Sequence, residues 1–96
     1  MDIRLAERLD PEILRELGRR LARVRKSAGL TQGDAAERAG LDRTTISRAE
    51  RGDNPNLHTV VRLLRVYRRL DALESFIPEP DVSPMALVRS AKGRRG

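Results

Sequence analysis

The fold of this 96-residue chain is decided by residues 30–52, which read LTQGDAAERAGLDRTTISRAERG. Two short helical segments meet at Gly40, and each begins after a residue that can cap a helix. Thr31, followed three residues later by Asp34, forms a capping box before the first segment, and Asp42 caps the second. A glycine follows each segment, as is common at helix ends. The pattern predicts two helices, over residues 32–39 and 43–51.

Small side chains in the first segment allow the second to pack across it. Ala35 and Ala36 permit a close crossing, and Leu41 and Ile46 are placed to fill the corner beneath it. We therefore expect a helix-turn-helix. Glu50 falls on a different side of the second helix from its free face. That face carries no acid and consists of Arg43, Thr44, Ser47, Arg48 and Arg51.

Apolar residues at three- and four-residue steps predict three further helices around this pair. Asp10 is placed to cap the first of them and Asn56 to cap the fourth helix, while Leu57 falls on the core face of that fourth helix. Prolines at positions 78 and 80 break the last helix. No stretch alternates as a strand would. The prediction is an all-α fold of five helices, over residues 11–28, 32–39, 43–51, 57–69 and 71–76.

The same pattern divides the chain into three parts. Residues 1–10 form an N-terminal segment, residues 11–77 the helical domain, and residues 78–96 a linker with an extended basic C-terminal tail. The end of the domain holds more apolar residues than the fourth helix needs. Packing of the fifth helix accounts for most of them, and the rest could form a surface for self-association. These residues are Leu63, Val66, Leu70, Leu73, Phe76 and Ile77.

Composition excludes several classes of function. The chain has no cysteine and one histidine, His58, so neither a usual zinc site nor a cysteine nucleophile is expected. No catalytic arrangement of side chains and no phosphate-cradling glycine loop is visible. We therefore predict that the protein is not an enzyme and uses no cofactor or metal. No apolar run is long enough for a membrane span and the N-terminus lacks an apolar signal, so a cytoplasmic protein is expected.

Charge favours a nucleic acid as the partner. The net charge is +6, and residues 43–69 carry seven basic and two acidic groups. Residues 70–84 carry four acids and no base, whereas residues 85–96 carry four bases and no acid. The chain holds one Phe, one Tyr and no Trp, so it has few rings on which single-stranded bases could stack. Double-stranded DNA is therefore the better candidate.

The helix-turn-helix and its flanking residues resemble the XRE family, which comprises the Cro/CI-type phage repressors. The resemblance covers residues 17–76 and implies a five-helix, lambda-repressor-like DNA-binding domain. It also implies a homodimer on a palindromic operator, with residues 43–51 as the recognition helix in the major groove. The sequence departs from the family at Gly33, where a helix former is usual. The resemblance rests on Leu30-Thr31-Gln32, Ala36, Ala39-Gly40, Ile46-Ser47 and Glu50-Arg51-Gly52.

The resemblance also implies roles for individual residues. The base-reading positions correspond to Arg43, Thr44 and Arg48, and Ser47 lies on the same face. Positions that contact the DNA backbone correspond to Gln32, Arg51 and Asn54. Arg25 and Glu50 correspond to an internal ion pair that ties the first helix to the recognition helix.

Two functions follow as hypotheses. The first is a sequence-specific transcriptional regulator, a repressor because so short a chain leaves no room for an effector domain. The second is a HipB-like antitoxin that represses its own operon and binds a toxin protein. That alternative depends on residues 78–96, which could become ordered on a partner or remain a solvated tail.

Overall fold

The structure, a computed structural model, describes residues 4–81 and confirms the five-helix all-α fold. Between residues 4 and 81 there is no strand. A short 3-10 helix over Leu5–Glu7, which the sequence analysis did not predict, precedes the first α-helix. The predicted C-terminal tail lies outside the described residues beyond position 81. The helices are α1 (Asp10–Ser27), α2 (Gln32–Ala39), α3 (Arg43–Glu50), α4 (Leu57–Val66) and α5 (Ala72–Phe76).

Two helix starts are capped as the sequence predicts. The Thr31 hydroxyl accepts from the Asp34 amide at 3.0 Å, and the Asp34 carboxylate accepts from the Thr31 amide at 3.1 Å. The bond from the Thr31 amide to the carboxylate, assisted by the nearby Thr31 hydroxyl, holds the pKa of Asp34 below its usual value, because it favours the charged form. At the start of α4 the Asn56 side chain accepts from the Thr59 amide at 2.8 Å.

Of the other two predicted caps, Asp10 is wrong, whereas Asp42 does occupy the cap position of α3. Leu9 occupies the cap position of α1, so Asp10 is the first helical residue, and the Glu12 carboxylate accepts from the Leu9 amide at 3.1 Å. Asp42 does precede α3, but its side chain makes no capping hydrogen bond. Asp10 instead places a negative charge in the first turn of α1, which the helix dipole favours.

Four of the helices end in the same way, with one residue in the left-handed conformation. The amide after that residue donates to a carbonyl five residues earlier, which terminates the helix. Gly40 adopts the left-handed conformation after α2, with φ 68°, and Arg68 adopts it after α4, with φ 60°. The sequence offers no glycine there, so the predicted continuation of α4 to residue 69 was wrong, and the helix ends at Val66.

Replacing Arg68 with glycine is expected to raise the free energy of unfolding by about 0.5–1 kcal/mol, because glycine adopts this backbone conformation without steric cost. Chemical denaturation followed by circular dichroism measures the change. Arg65→Gly is the control, since it lies inside α4 and should cost about 1 kcal/mol. An Arg68→Gly variant less stable than the parent chain would contradict this account of the helix end.

Helix α3 lies at the centre of the fold, packed against α1, α2 and α4. Ile46 and Leu63 are fully buried between these helices. Leu57, predicted on the core face of α4, is 57% exposed because it occupies the first turn of the helix, beyond the edge of the core. The core consists of Leu21, Ala35, Ala36, Ala39, Ile46, Ala49, Leu63, Leu64 and Tyr67.

The apolar set at the end of the domain divides into two groups. Leu63 is buried, and Val66, Leu70 and Leu73 pack against the core, as expected for packing of the last helices. Phe76 and Ile77 do not share in this packing: they are 52% and 72% exposed.

Two glycines let α1 approach the end of α3 at backbone distance. A Cβ atom at Gly18 would lie 2.6 Å from the Glu50 carbonyl oxygen and 2.7 Å from that of Ala49. At Gly52 it would lie 2.6 Å from the Leu14 carbonyl oxygen. Only residues without a side chain fit at these two crossings. The sequence predicts Gly52 only as the end of the recognition helix, and Gly18 was not singled out. The orientation of α3 on α1 depends on both.

Candidate nucleic-acid interface

Helix α3 buries one face and exposes the opposite one. Ile46 and Ala49, three residues apart, are buried and fix which side of the helix points inward. Arg43, Thr44 and Arg48 are therefore exposed. Among residues 4–81, neither arginine takes part in a salt bridge, so both guanidinium groups are available to an external acceptor.

Ser47 and Arg51 are joined one turn apart on the same helix. The Arg51 guanidinium donates to the Ser47 hydroxyl at 2.7 Å, and Ser47 is half-buried whereas Arg51 is exposed. This bond holds the arginine along the C-terminal end of α3. Asn54 follows in the loop with φ 45°, a left-handed conformation that asparagine tolerates better than most residues. The structure thus brings Ser47, Arg51 and Asn54 to one end of the exposed face.

A buried ion pair holds α3 to α1. The Arg25 guanidinium binds the Glu50 carboxylate through two bonds, Nε to Oε2 at 2.7 Å and Nη2 to Oε1 at 3.0 Å. A third bond runs from Nη1 to the Leu30 carbonyl at 2.8 Å. Both side chains are under 10% exposed, and the bonds to Glu50 raise the pKa of Arg25 above its usual value despite burial. The pair therefore fixes the orientation of α3 relative to α1 and to the loop before α2.

Gln32 extends this network to α2. Its side-chain amide donates to Glu50 Oε1 at 2.9 Å, so the first residue of α2 is tied to the last residue of α3. The family resemblance implies a contact of Gln32 with the DNA backbone, but the sequence does not predict this bond, since nothing in the local pattern relates positions 32 and 50. A cleft of about 450 Å³ lies beside it, with Gln32 and Arg43 on its walls.

The Tyr67 hydroxyl lies near this network without belonging to it. The side chain is 5% exposed, and its oxygen finds no hydrogen-bond partner among residues 4–81. Burial, assisted by the charge of Glu50, raises the pKa of Tyr67 to about 12. The hydroxyl therefore stays protonated, and it contributes no hydrogen bond to the stability of the fold.

We expect Tyr67→Phe to leave the free energy of unfolding unchanged or to raise it by about 1 kcal/mol, because it removes a buried polar group that is not satisfied. Thermal unfolding monitored by circular dichroism is the measurement. Tyr67→Ala serves as the control for the ring and should cost about 3–5 kcal/mol, the range for truncated core aromatics. A clear loss of stability in the Phe variant would show that the hydroxyl is bonded in solution.

Within residues 4–81 no helix is both long and apolar enough to span a bilayer. The same part of the chain contains no cluster of histidine, aspartate and glutamate arranged to hold a metal ion.

Two short helices crossing at a tight turn, with a basic face turned outward, define a helix-turn-helix DNA-binding protein. The family described as "Helix-turn-helix domain" matches residues 16–75 of this chain. The HTH-type transcriptional regulators PuuR of Escherichia coli (strain K12) and of Shigella flexneri are each 38% identical to it over 65 residues. The match covers 67% of this chain and 34% of each relative, so the chain spans about a third of their length.

The chain belongs to this helix-turn-helix family and is of the XRE type that its sequence indicates. Residues 16–75 form its helix-turn-helix domain. The family match begins inside α1 and ends inside α5, so it includes both helices of the motif and the Arg25–Glu50 pair.

Proposed function

We propose that this protein is a sequence-specific repressor that binds a palindromic operator in the cytoplasm as a homodimer, without catalytic activity of its own. The observation that carries the proposal is the exposed face of α3. Its arginines are free of salt bridges within residues 4–81, while Glu50, the acid of the same helix, is turned inward and paired with Arg25. An acid-free face on a rigidly held helix is suited to the negatively charged major groove.

In this proposal four side chains read bases. Arg43 and Arg48 each present a two-pronged donor that matches the O6 and N7 acceptors of guanine. Thr44 places its methyl group or hydroxyl against an adjacent base edge, and Ser47 contributes its hydroxyl while holding Arg51. The operator half-site is therefore expected to contain guanine.

Three other residues contact the DNA backbone. Arg51 and Asn54 lie just beyond the reading positions, and Gln32 lies at the start of α2, whose free amides can bind a phosphate. The Gln32 side-chain amide also donates to Glu50. A phosphate contact at Gln32 would therefore couple the DNA backbone to the position of α3.

Arg43→Ala is expected to reduce discrimination at one guanine position by about tenfold or more, because a bidentate arginine contributes about 1–3 kcal/mol there. Affinity for random DNA should change little. Gel-shift titrations of the selected operator, single-base variants and random DNA at physiological salt measure both effects. Gln32→Ala is the comparison, since losing a phosphate contact should weaken all sequences alike.

Arg23→Ala, an exposed arginine of α1, serves as the charge-matched control and should leave the base preference intact. Equal affinity of the parent protein for its own promoter and for random DNA would refute sequence-specific binding. Expression of a reporter placed behind the operator, with and without the protein, then distinguishes repression from activation.

The antitoxin alternative remains a prediction from the sequence. It depends on residues 78–96, and all of that segment beyond position 81 lies outside the described residues. Co-purification of a toxin with the full chain, lost on deleting residues 78–96, is the result that this alternative requires. Deletion without effect on any partner would argue against it.

A further inference from the structure

A groove between α2 and α4 lies outside the surface assigned to DNA. Its volume is about 350 Å³, and none of the proposed DNA-contacting residues lines it. The α4 residues of the groove lie at positions 58, 61, 62, 65 and 66, which form one stripe of the helix. It contains both apolar and basic residues. The lining consists of Arg38, Ala39, His58, Val61, Arg62, Arg65 and Val66.

The lining of this groove is positively charged, and no salt bridge in the described part of the chain pairs its arginines. Arg38, Arg62 and Arg65 are all exposed. Arg62 reaches across to α2, where its Nη2 atom would lie 3.2 Å from a Cβ placed on Gly40. An apolar floor between three guanidinium groups suits an acidic segment that carries an apolar side chain.

The chain itself contains such a segment, residues 74–81, which we call the acidic arm. It has three acids, no base and two large apolar side chains, Phe76 and Ile77, that are 52% and 72% exposed. Prolines at positions 78 and 80 favour an extended backbone in the second half of the arm. The arm therefore combines acidic groups, which complement the arginines of the groove, with apolar side chains that can pack on its apolar floor.

We propose that the acidic arm of one copy docks into the basic groove of a second copy, and reciprocally, to form the homodimer. The inference rests on the proposed function, which requires two copies on one operator. No residue of the arm lines the groove of its own copy. Leu70 and Leu73 pack against the core and hold the base of the arm in place. A second copy is therefore the occupant that the structure favours.

The dimensions of the two elements agree. The arm begins within α5, and α5 starts six residues after Val66 at the groove's end. Five extended residues from position 77 to 81 span about 17 Å, whereas the stripe from position 58 to 66 extends about 12 Å along α4. The arm is thus long enough to cover the groove. Two identical contacts would give a closed two-fold dimer, with α3 of each copy left free for DNA.

Charge reversal on the full chain tests the dimer. Sedimentation equilibrium at low salt should show that Arg62→Glu with Arg65→Glu, and separately Glu79→Arg with Asp81→Arg, each weaken dimerisation by at least about tenfold. Combining all four substitutions in one chain should restore the dimer, because the charges are then exchanged. Ile77→Ser should weaken the dimer without unfolding the protein, since the side chain is exposed. Controls are Arg23→Glu and Glu7→Arg, exposed positions outside both surfaces.

A parent chain that is monomeric, or a dimer that none of the groove and arm variants weakens, would overturn the proposal. So would variants that change thermal stability but not association, because that result places the arm on its own copy. Binding to a single half-site separates this proposal from the proposed function: the monomeric variants should keep the parent's preference for the half-site over scrambled DNA. Loss of that preference in the parent as well would refute the repressor and leave the dimer result standing.

Discussion

Gly18→Ala is expected to lower the free energy of unfolding by about 3 kcal/mol or more. The added methyl carbon would lie 2.6 Å from the Glu50 carbonyl oxygen and 2.7 Å from that of Ala49. Both atoms belong to backbone inside or at the end of α3, so neither can move as a side chain could. Helix α1 must shift away from α3, and overpacking of this kind typically costs 1–3 kcal/mol and sometimes more. Chains of this size have about 5–14 kcal/mol of stability in total, so the effect is large.

Gly33→Ala provides the matched control for that experiment. Position 33 is exposed in the first turn of α2, and the nearest atom to an added Cβ is the Thr31 hydroxyl oxygen at 3.8 Å. Alanine there should raise stability by about 0.5–1 kcal/mol, since glycine is a poor helix former. Chemical denaturation of the parent and the two variants gives all three values. Equal effects at positions 18 and 33 would show that the approach of α1 to α3 is looser than the structure has it.

The Gly18 variant should also lose operator affinity even where it remains folded. The crossing at Gly18 sets the angle at which α3 projects from the domain, and Gly52 makes a second backbone contact of the same kind. A change in that angle would move Arg43 and Arg48 relative to the major groove of the DNA. Base discrimination measured at low temperature, where the variant is folded, should therefore fall with no substitution on α3 itself.

Glu50→Ala is expected to cost about 3–5 kcal/mol. The substitution leaves the Arg25 guanidinium charged and under 10% exposed, without the carboxylate that accepts two of its hydrogen bonds. Removing one partner of a buried pair typically costs this much, because the remaining charge is left uncompensated. The Gln32 side chain loses its acceptor at the same time. Thermal unfolding at neutral pH is the direct measurement.

Two comparisons separate the ion pair from general packing. Arg25→Met combined with Glu50→Leu should recover most of the lost stability, since apolar residues of similar volume can replace a buried pair. Asp71→Ala removes the carboxylate of an exposed pair with Arg69 and should change stability by less than about 1 kcal/mol. If Glu50→Ala were as mild as Asp71→Ala, water would have to reach Arg25, contrary to its burial.

The double variant also distinguishes stability from function. The Arg25–Glu50–Gln32 network joins α1, α2 and α3 by directional bonds, whereas apolar replacements impose no such geometry. We expect the double variant to fold but to bind its operator less tightly than the parent. Unchanged affinity would mean that backbone packing alone positions the recognition helix.

Local sequence determined the helix-turn-helix and most of the helix boundaries. Capping by Thr31 and Asn56 involves residues within four positions of one another, and Gly40 ends α2 through its own backbone freedom. Such signals are visible in a linear pattern because the atoms concerned are neighbours in the chain. The basic face of α3 followed in the same way, because Ile46 was expected to point inward, and it is buried.

What the tertiary structure alone decided are the contacts between residues far apart in sequence. The bond from Gln32 to Glu50, the backbone contact at Gly18 and the buried hydroxyl of Tyr67 exist only once α1, α2, α3 and α4 are packed together. The end of α4 at Val66 was missed because no glycine marks the left-handed position that follows, which Arg68 occupies. Periodicity tells which side of a helix is apolar, but the neighbouring helices determine which of those residues they cover.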